Sequence, residues 1–178
     1  MIEVGVDYYP EHWERKLWES DIARMQKAGV RVVRIAEFAW SRLEPEEGKF
    51  DFGWLDEIVA LLKSAGMKII LGTPTNCAPL WLYRSRSETL QTERTGRKTE
   101  TGIRGHRCQT SPVFRKYAGR IVSEMARRYA NDPAVVAWQI DNEIESNHCN
   151  CEHCTEQFRA FLRGKYGDIG ALNRAYGN

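Results

Sequence analysis

Val135-Val136-Ala137-Trp138-Gln139-Ile140 runs without a break into Asp141-Asn142-Glu143. A short run that is apolar on both of its faces reads as a strand of a barrel or a doubly wound parallel sheet. Ending such a strand on an amide and a carboxylate holds a potential acid or base on a rigid element. Directly downstream stands Cys149-x-Cys151-x-x-Cys154, thiols with the spacing of metal ligands.

Outward from this stretch the same alternation repeats. Ile2 to Asp7, Val30 to Ile35 and Lys68 to Leu71 are three further strands. Between them, Trp18, Ile22 and Met25 recur at helical spacing and stop at Gly29, and Leu55, Ile58, Val59 and Leu62 do so and stop at Gly66. Ser111-Pro112 is a helix start, with Phe114, Tyr117, Ile121, Val122 and Met125 on its apolar face. Asp132-Pro133 ends that helix, and a last one runs from about Cys154 to Tyr166 before Gly167. From Thr73 to about Ser111 the chain is a long polar segment. The pattern predicts an α/β fold of (β/α) TIM-barrel type with about four βα units, half a barrel, over residues 1–178 as one domain. At 178 residues the chain is shorter than the roughly 250 of a closed barrel.

Composition narrows the function. The chain is 42% hydrophobic and 28% charged with a net charge of +2, its Lys and Arg spread among acids, so no nucleic-acid partner is expected. The start has no basic and apolar leader, and no apolar run nears the roughly 20 residues that span a bilayer. A cytoplasmic protein without a membrane partner is the expectation, its five cysteines kept as reduced thiols.

Active sites of parallel α/β folds lie at the carboxyl ends of the strands. Those ends carry Asp7-Tyr8-Tyr9-Pro10 with His12-Trp13, Glu37-Phe38-Ala39-Trp40, Thr73-Pro74-Thr75-Asn76 with Trp81, and Asn142-Glu143. Aromatic faces with amide, guanidinium and carboxylate hydrogen-bonding groups suit sugars. For Trp40 and Trp81 packing of the barrel mouth is an equal alternative. In a glycosidase Glu143 would protonate the departing oxygen while Asn142 holds a sugar 2-hydroxyl. Asp141, Glu143 and Glu145 alternate and would share a face of an extended strand, but the strand should already be ending there.

The chain resembles glycoside hydrolase family 42. The likeness lies in Gly5-Val-Asp-Tyr-Tyr-Pro-Glu11, in Gly29 to Gly48 with its Arg-Ile-Ala-Glu-Phe-Ala-Trp-Ser-Arg core, in Leu71-Gly-Thr-Pro-Thr75, in Cys108-Gln-Thr-Ser-Pro112 and in Trp138-Gln-Ile-Asp-Asn-Glu143. The resemblance implies a TIM-barrel β-galactosidase that takes a β-galactoside or related small saccharide, with Glu143 as proton donor and Arg104 and Asn142 as substrate-binding residues. Ala36 stands where the family usually has Gly, a small change, and Ile144 where it commonly has Tyr or Phe. The family's nucleophile is a Glu near the seventh strand, and no residue here is similar to it. Catalytic incompleteness of this chain by itself is therefore expected. Glu37 is the best local candidate for a second carboxylate.

Cys108, Cys149, Cys151 and Cys154 make a four-thiolate set that suits a structural Zn²⁺, in preference to disulfides or free buried cysteines. The resemblance implies the same four ligands. His148 and His153 interleave the cluster as possible substitutes, and Cys77 stands apart as a filler or pocket wall. Besides a retaining glycosidase, a zinc-stabilised sugar-binding or assembly module fits these residues. Self-association is also expected, because an open half barrel would leave two sheet edges bare and expose Val33, Ile35 or their neighbours.

Overall fold

β-Branched runs separated by amphipathic helices give four parallel strands. β1 (Val4–Asp7), β2 (Val30–Ile35), β3 (Lys68–Gly72) and β4 (Val135–Gln139) lie side by side in sequence order, each pair of neighbours parallel. The computed structural model describes residues 2–102, 104–144 and 148–177. α1 (Trp18–Lys27) follows β1, α2 (Trp40–Leu43) and α3 (Gly53–Ser64) follow β2, α4 (Leu80–Ser85) and α5 (Pro112–Tyr129) follow β3, and α6 (Glu152–Tyr166) and α7 (Ile169–Tyr176) follow β4. These are the four βα units that the periodicity predicts. Gly29, at φ 82°, follows the last turn of α1. Ser111 caps α5, its Oγ accepting from the Phe114 amide at 3.3 Å. No described helix is long and apolar enough to cross a membrane.

The helix-facing side of the sheet carries Val33, Ile35, Ile69 and Leu71, all fully buried against Leu55, Ile58 and Leu62 of α3 and Ile121 and Met125 of α5. Val33 and Ile35 are therefore not the exposed residues of the open sheet. Side chains alternate along a strand, and the opposite face presents Asp7, Arg34, Ile70 and Ala137 in one register row. The apolar side chains that do meet solvent are on the outer strands, Val4 and Val6 of β1 and Val136 of β4. Among the described residues no strand pairs with the outer edge of β1 or β4, and no residue of β4 is fully buried.

The segment after β3 is less irregular than its polarity suggests. It contains α4, short 3₁₀ turns at Pro74–Asn76 and Ser87–Thr89, and a narrow antiparallel ladder. In that ladder the Gln91 amide donates to the His106 carbonyl at 2.9 Å and the Cys108 amide to the Thr89 carbonyl at 2.7 Å. Isolated backbone pairings of two or three residues leave no period in the sequence, which is why the ladder is not legible there.

Two backbone positions at the carboxyl end of the sheet are tightly constrained. Ala36 has φ 76°, a left-handed conformation that costs an L-residue about 1–2 kcal/mol. The alanine in place of the family's glycine is thus a strained position rather than a small change. At Gly72 an added Cβ would lie 2.3 Å from Glu37 Cβ and 2.7 Å from its Cα, so only glycine lets the ends of β2 and β3 run this close. Gly72→Ala should destabilise the fold by about 1–3 kcal/mol or more, read as a lower urea midpoint. An unchanged midpoint would mean that the two strand ends can part freely.

Candidate active site

At the ends of β1 and β2 charged and aromatic groups interlock. Arg34 Nη2 lies 2.6 Å from Asp7 Oδ2 and Arg34 Nε 3.0 Å from Glu37 Oε1. The Tyr9 hydroxyl donates to the same Glu37 oxygen at 2.9 Å. Burial first, and then this bond to a carboxylate, raise the Tyr9 phenol above its ordinary value. Glu37 itself has no exposed surface. An attacking carboxylate must reach the substrate, so Glu37 as placed here is an anchor for Tyr9 and Arg34 and not the second catalytic carboxylate. Beside it Tyr9 stacks on Phe38 and on His12, with ring centroids 5.8 and 5.6 Å apart.

The ends of β3 and β4 are tied through Asp141. β4 stops at Gln139, and Asp141 and Glu143 take left-handed φ values of 58° and 44°. The strand has therefore ended before these carboxylates, and the two do not share a strand face. Glu145, the third residue of that alternation, lies outside the described residues. The Asp141 amide donates to Thr73 Oγ1 at 2.7 Å, its Oδ1 accepts from the Asn142 amide at 2.8 Å, and its Oδ2 takes Arg107 Nη2 at 2.5 Å. Arg107 is 1% exposed. Removing one partner of such a buried pair costs about 3–5 kcal/mol, because the other charge stays buried alone.

Asn142 is buried and held on both sides. Its Oδ1 accepts from Gln139 Nε2 at 2.9 Å and its carbonyl from Asn76 Nδ2 at 2.5 Å. Glu143, by contrast, is open to solvent and pairs at 3.0 Å with Arg104, which is also exposed. An exposed pair contributes about 0–1 kcal/mol, so a ligand can displace it at little cost. Arg104 also lies over the Phe38 ring, 5.0 Å from the centroid. The structure thus brings together Arg104, Asn142 and Glu143, with Phe38 and Tyr9 as the aromatic wall. Ile144 beside them is exposed.

Of the two roles open to Trp40 and Trp81, packing is the one the structure shows. Trp40 is fully buried against Phe114, its Nε1 donating to Glu44 Oε2 at 2.9 Å. Trp81 donates to the Glu44 carbonyl at 2.9 Å and meets Tyr117 edge-on. Both serve the packing of α2 and α5. Arg107 and Gln139 are the site residues that sequence reasoning missed. Arg107 lies in a polar stretch with no period, and its one signal is adjacency to Cys108.

The four predicted thiols meet. The Sγ atoms of Cys108, Cys149, Cys151 and Cys154 all lie within 4.8 Å of one another, with Cys108 3.4 Å from Cys151 and 3.7 Å from Cys154. Four sulfurs each about 2.3 Å from a tetrahedral zinc would stand about 3.8 Å apart, whereas a disulfide needs about 2.05 Å. The donor set fits the metal. The Thr92 amide also donates to Cys149 Sγ at 3.3 Å, the kind of bond that steadies a thiolate. His148 and His153 are exposed, and the described ligand group consists of the cysteines alone. Cys77 is half-buried outside it, its thiol raised by burial.

Comparison with known proteins gives the family. A family profile for glycoside hydrolase family 42, described as Beta-galactosidase, matches residues 7–178. The chain is 51% identical over 177 residues to a β-galactosidase of Clostridium cellulovorans, covering 99% of the chain and 27% of that relative. A Thermus thermophilus β-galactosidase is 48% identical over 98% of the chain and 27% of its own length. The solved β-galactosidase of the haloarchaeon Halorubrum lacusprofundi superposes with a TM-score of 0.94 at 44% identity, over 99% of this chain and 27% of that one. The chain spans about a quarter of the length of these relatives.

Proposed function

This chain belongs to glycoside hydrolase family 42, the β-galactosidases, and from that premise we propose that it is the acid/base-bearing part of a retaining β-galactosidase barrel. The observation that carries this reading is the Asn142-Glu143 pair just beyond the end of β4, with Arg104 3.0 Å from the carboxylate. Glu143 protonates the glycosidic oxygen as a second carboxylate attacks the anomeric carbon. It then takes a proton from the water that releases galactose. The second carboxylate belongs about 5–5.5 Å from Glu143, and Glu37, the best local candidate for it, is fully buried. Asn142 and Arg104 hold sugar hydroxyls beside the Phe38 and Tyr9 rings. In a complete barrel carrying these residues, Glu143→Gln should lower turnover of an aryl β-galactoside with a poor leaving group by about 10²–10⁴-fold. Residues 1–178 alone should hydrolyse it hardly at all. Activity that survives Glu143→Gln would reject the assignment.

The same reading gives the thiols of Cys108, Cys149, Cys151 and Cys154 a structural Zn²⁺, which ties the segment after Glu143 to the segment before α5. Four sulfurs spaced for a metal and not for disulfides suit a reducing, cytoplasmic setting. Such a metal contributes to folding and takes no part in the reaction. Protein purified without added zinc should contain one ion per chain, and chelation or Cys108→Ser should lower its melting temperature. Metal well below one per chain together with an unchanged melting temperature would remove the site.

Bare edges on β1 and β4 and the exposed Val4, Val6 and Val136 favour self-association of this chain when it stands alone. Light scattering of residues 1–178 should report dimers or larger species. A monodisperse monomer with a cooperative, high melting transition would contradict this.

A further inference from the structure

Arg107 and Cys108 are consecutive residues of the short ladder formed with Thr89 and Gln91. Neighbouring residues of an extended segment send their side chains to opposite sides. Arg107 reaches Asp141 Oδ2 at 2.5 Å, while Cys108 reaches Cys151 and Cys154. The ladder is itself braced by Gln91, whose Nε2 donates to the Arg107 carbonyl at 3.1 Å and to the Gly105 carbonyl at 2.9 Å. Two adjacent residues thus grip the chain on either side of Glu143, at Asp141 and at the thiol cluster.

The grip at Asp141 bears on the direction of Glu143. Left-handed backbone at non-glycine residues persists only where the surroundings over-determine it. Asp141 is fixed three times, by Thr73, by the Asn142 amide and by Arg107, and of these only Arg107 is a buried charge. The Arg104 pair of Glu143 is exposed and cannot supply that constraint. We propose that Arg107 is a positioning residue for Glu143, acting through Asp141, while the metal-filled thiol cluster secures the other end of the same segment. The proposal rests on the acid/base role given to Glu143 above.

The test uses zinc-loaded, complete barrel protein carrying Arg107→Met, Arg107→Lys or Asp141→Asn, with Glu143→Gln alongside. A phenyl β-galactoside needs protonation of its leaving group, whereas a dinitrophenyl β-galactoside does not. Arg107→Met should lower kcat/KM for the phenyl substrate by about 10–100-fold, with a clearly smaller loss for the dinitrophenyl one. Arg107→Lys should recover part of the loss, zinc should stay at one per chain, and the Asn142 amide should exchange its hydrogen faster. If Arg107→Met does not fold, Asp141→Asn, of nearly equal volume, carries the same comparison. Equal losses on both substrates, no loss, or release of zinc would overturn the proposal. If Glu143→Gln itself lacks the leaving-group dependence, the acid/base reading falls; if it shows the dependence and the Arg107 and Asp141 variants do not, only the positioning role falls.

Discussion

A methyl group at Gly72 would lie 2.3 Å from Glu37 Cβ, and much of the rim depends on that closeness. With the ends of β2 and β3 pressed together, Glu37 is sealed from water and becomes the fixed acceptor for Tyr9 and Arg34. Tyr9 and Phe38 then stand as a stacked wall. On the other side Thr73, the residue after Gly72, offers its hydroxyl to the Asp141 amide and so turns the chain at the end of β4. Arg104 closes the circuit by touching both Phe38 and Glu143.

Charge is used in two ways along this rim. Pairs with one fully buried partner, such as Arg107–Asp141 and Arg120–Glu44, are costly to break from the exposed side because the buried charge is left alone, whatever their net contribution to stability. The exposed Arg104–Glu143 pair does the reverse. It is cheap to open and leaves the Glu143 carboxylate accessible. A glycosidase needs both: a carboxylate that can meet its substrate, and a backbone that does not let it wander.

The four βα units form a coherent quarter of the longer β-galactosidases they match. Helices cover one face of the central strands β2 and β3, while the other face presents Asp7 and Arg34, and among the described residues the outer strands keep bare edges. The Glu143 carboxylate stands just beyond the end of β4, on the same rim as the ends of the other three strands.

The sequence by itself determined the four strands, the helices α1, α3, α5 and α6 and their stops, because each rests on local chemistry. Apolar period gave β2 and α3, serine with proline gave the start of α5, and glycine gave the ends of α1 and α6. The Asn142-Glu143 pair and the clustered cysteines stood out by residue type and spacing and Arg104 through the family resemblance, and the structure brings Arg104 to Glu143 and the four thiols together. Tertiary structure alone decided which face of β2 is covered, that Trp40 and Trp81 pack inward, and that Glu37 is buried beyond the reach of a substrate. It also decided the pairing of Arg107 with Asp141. These outcomes depend on contacts between residues tens of positions apart, 34 in the Arg107–Asp141 case, and on left-handed backbone turns at Ala36, Asp141 and Glu143. Neither leaves a periodic trace in the chain.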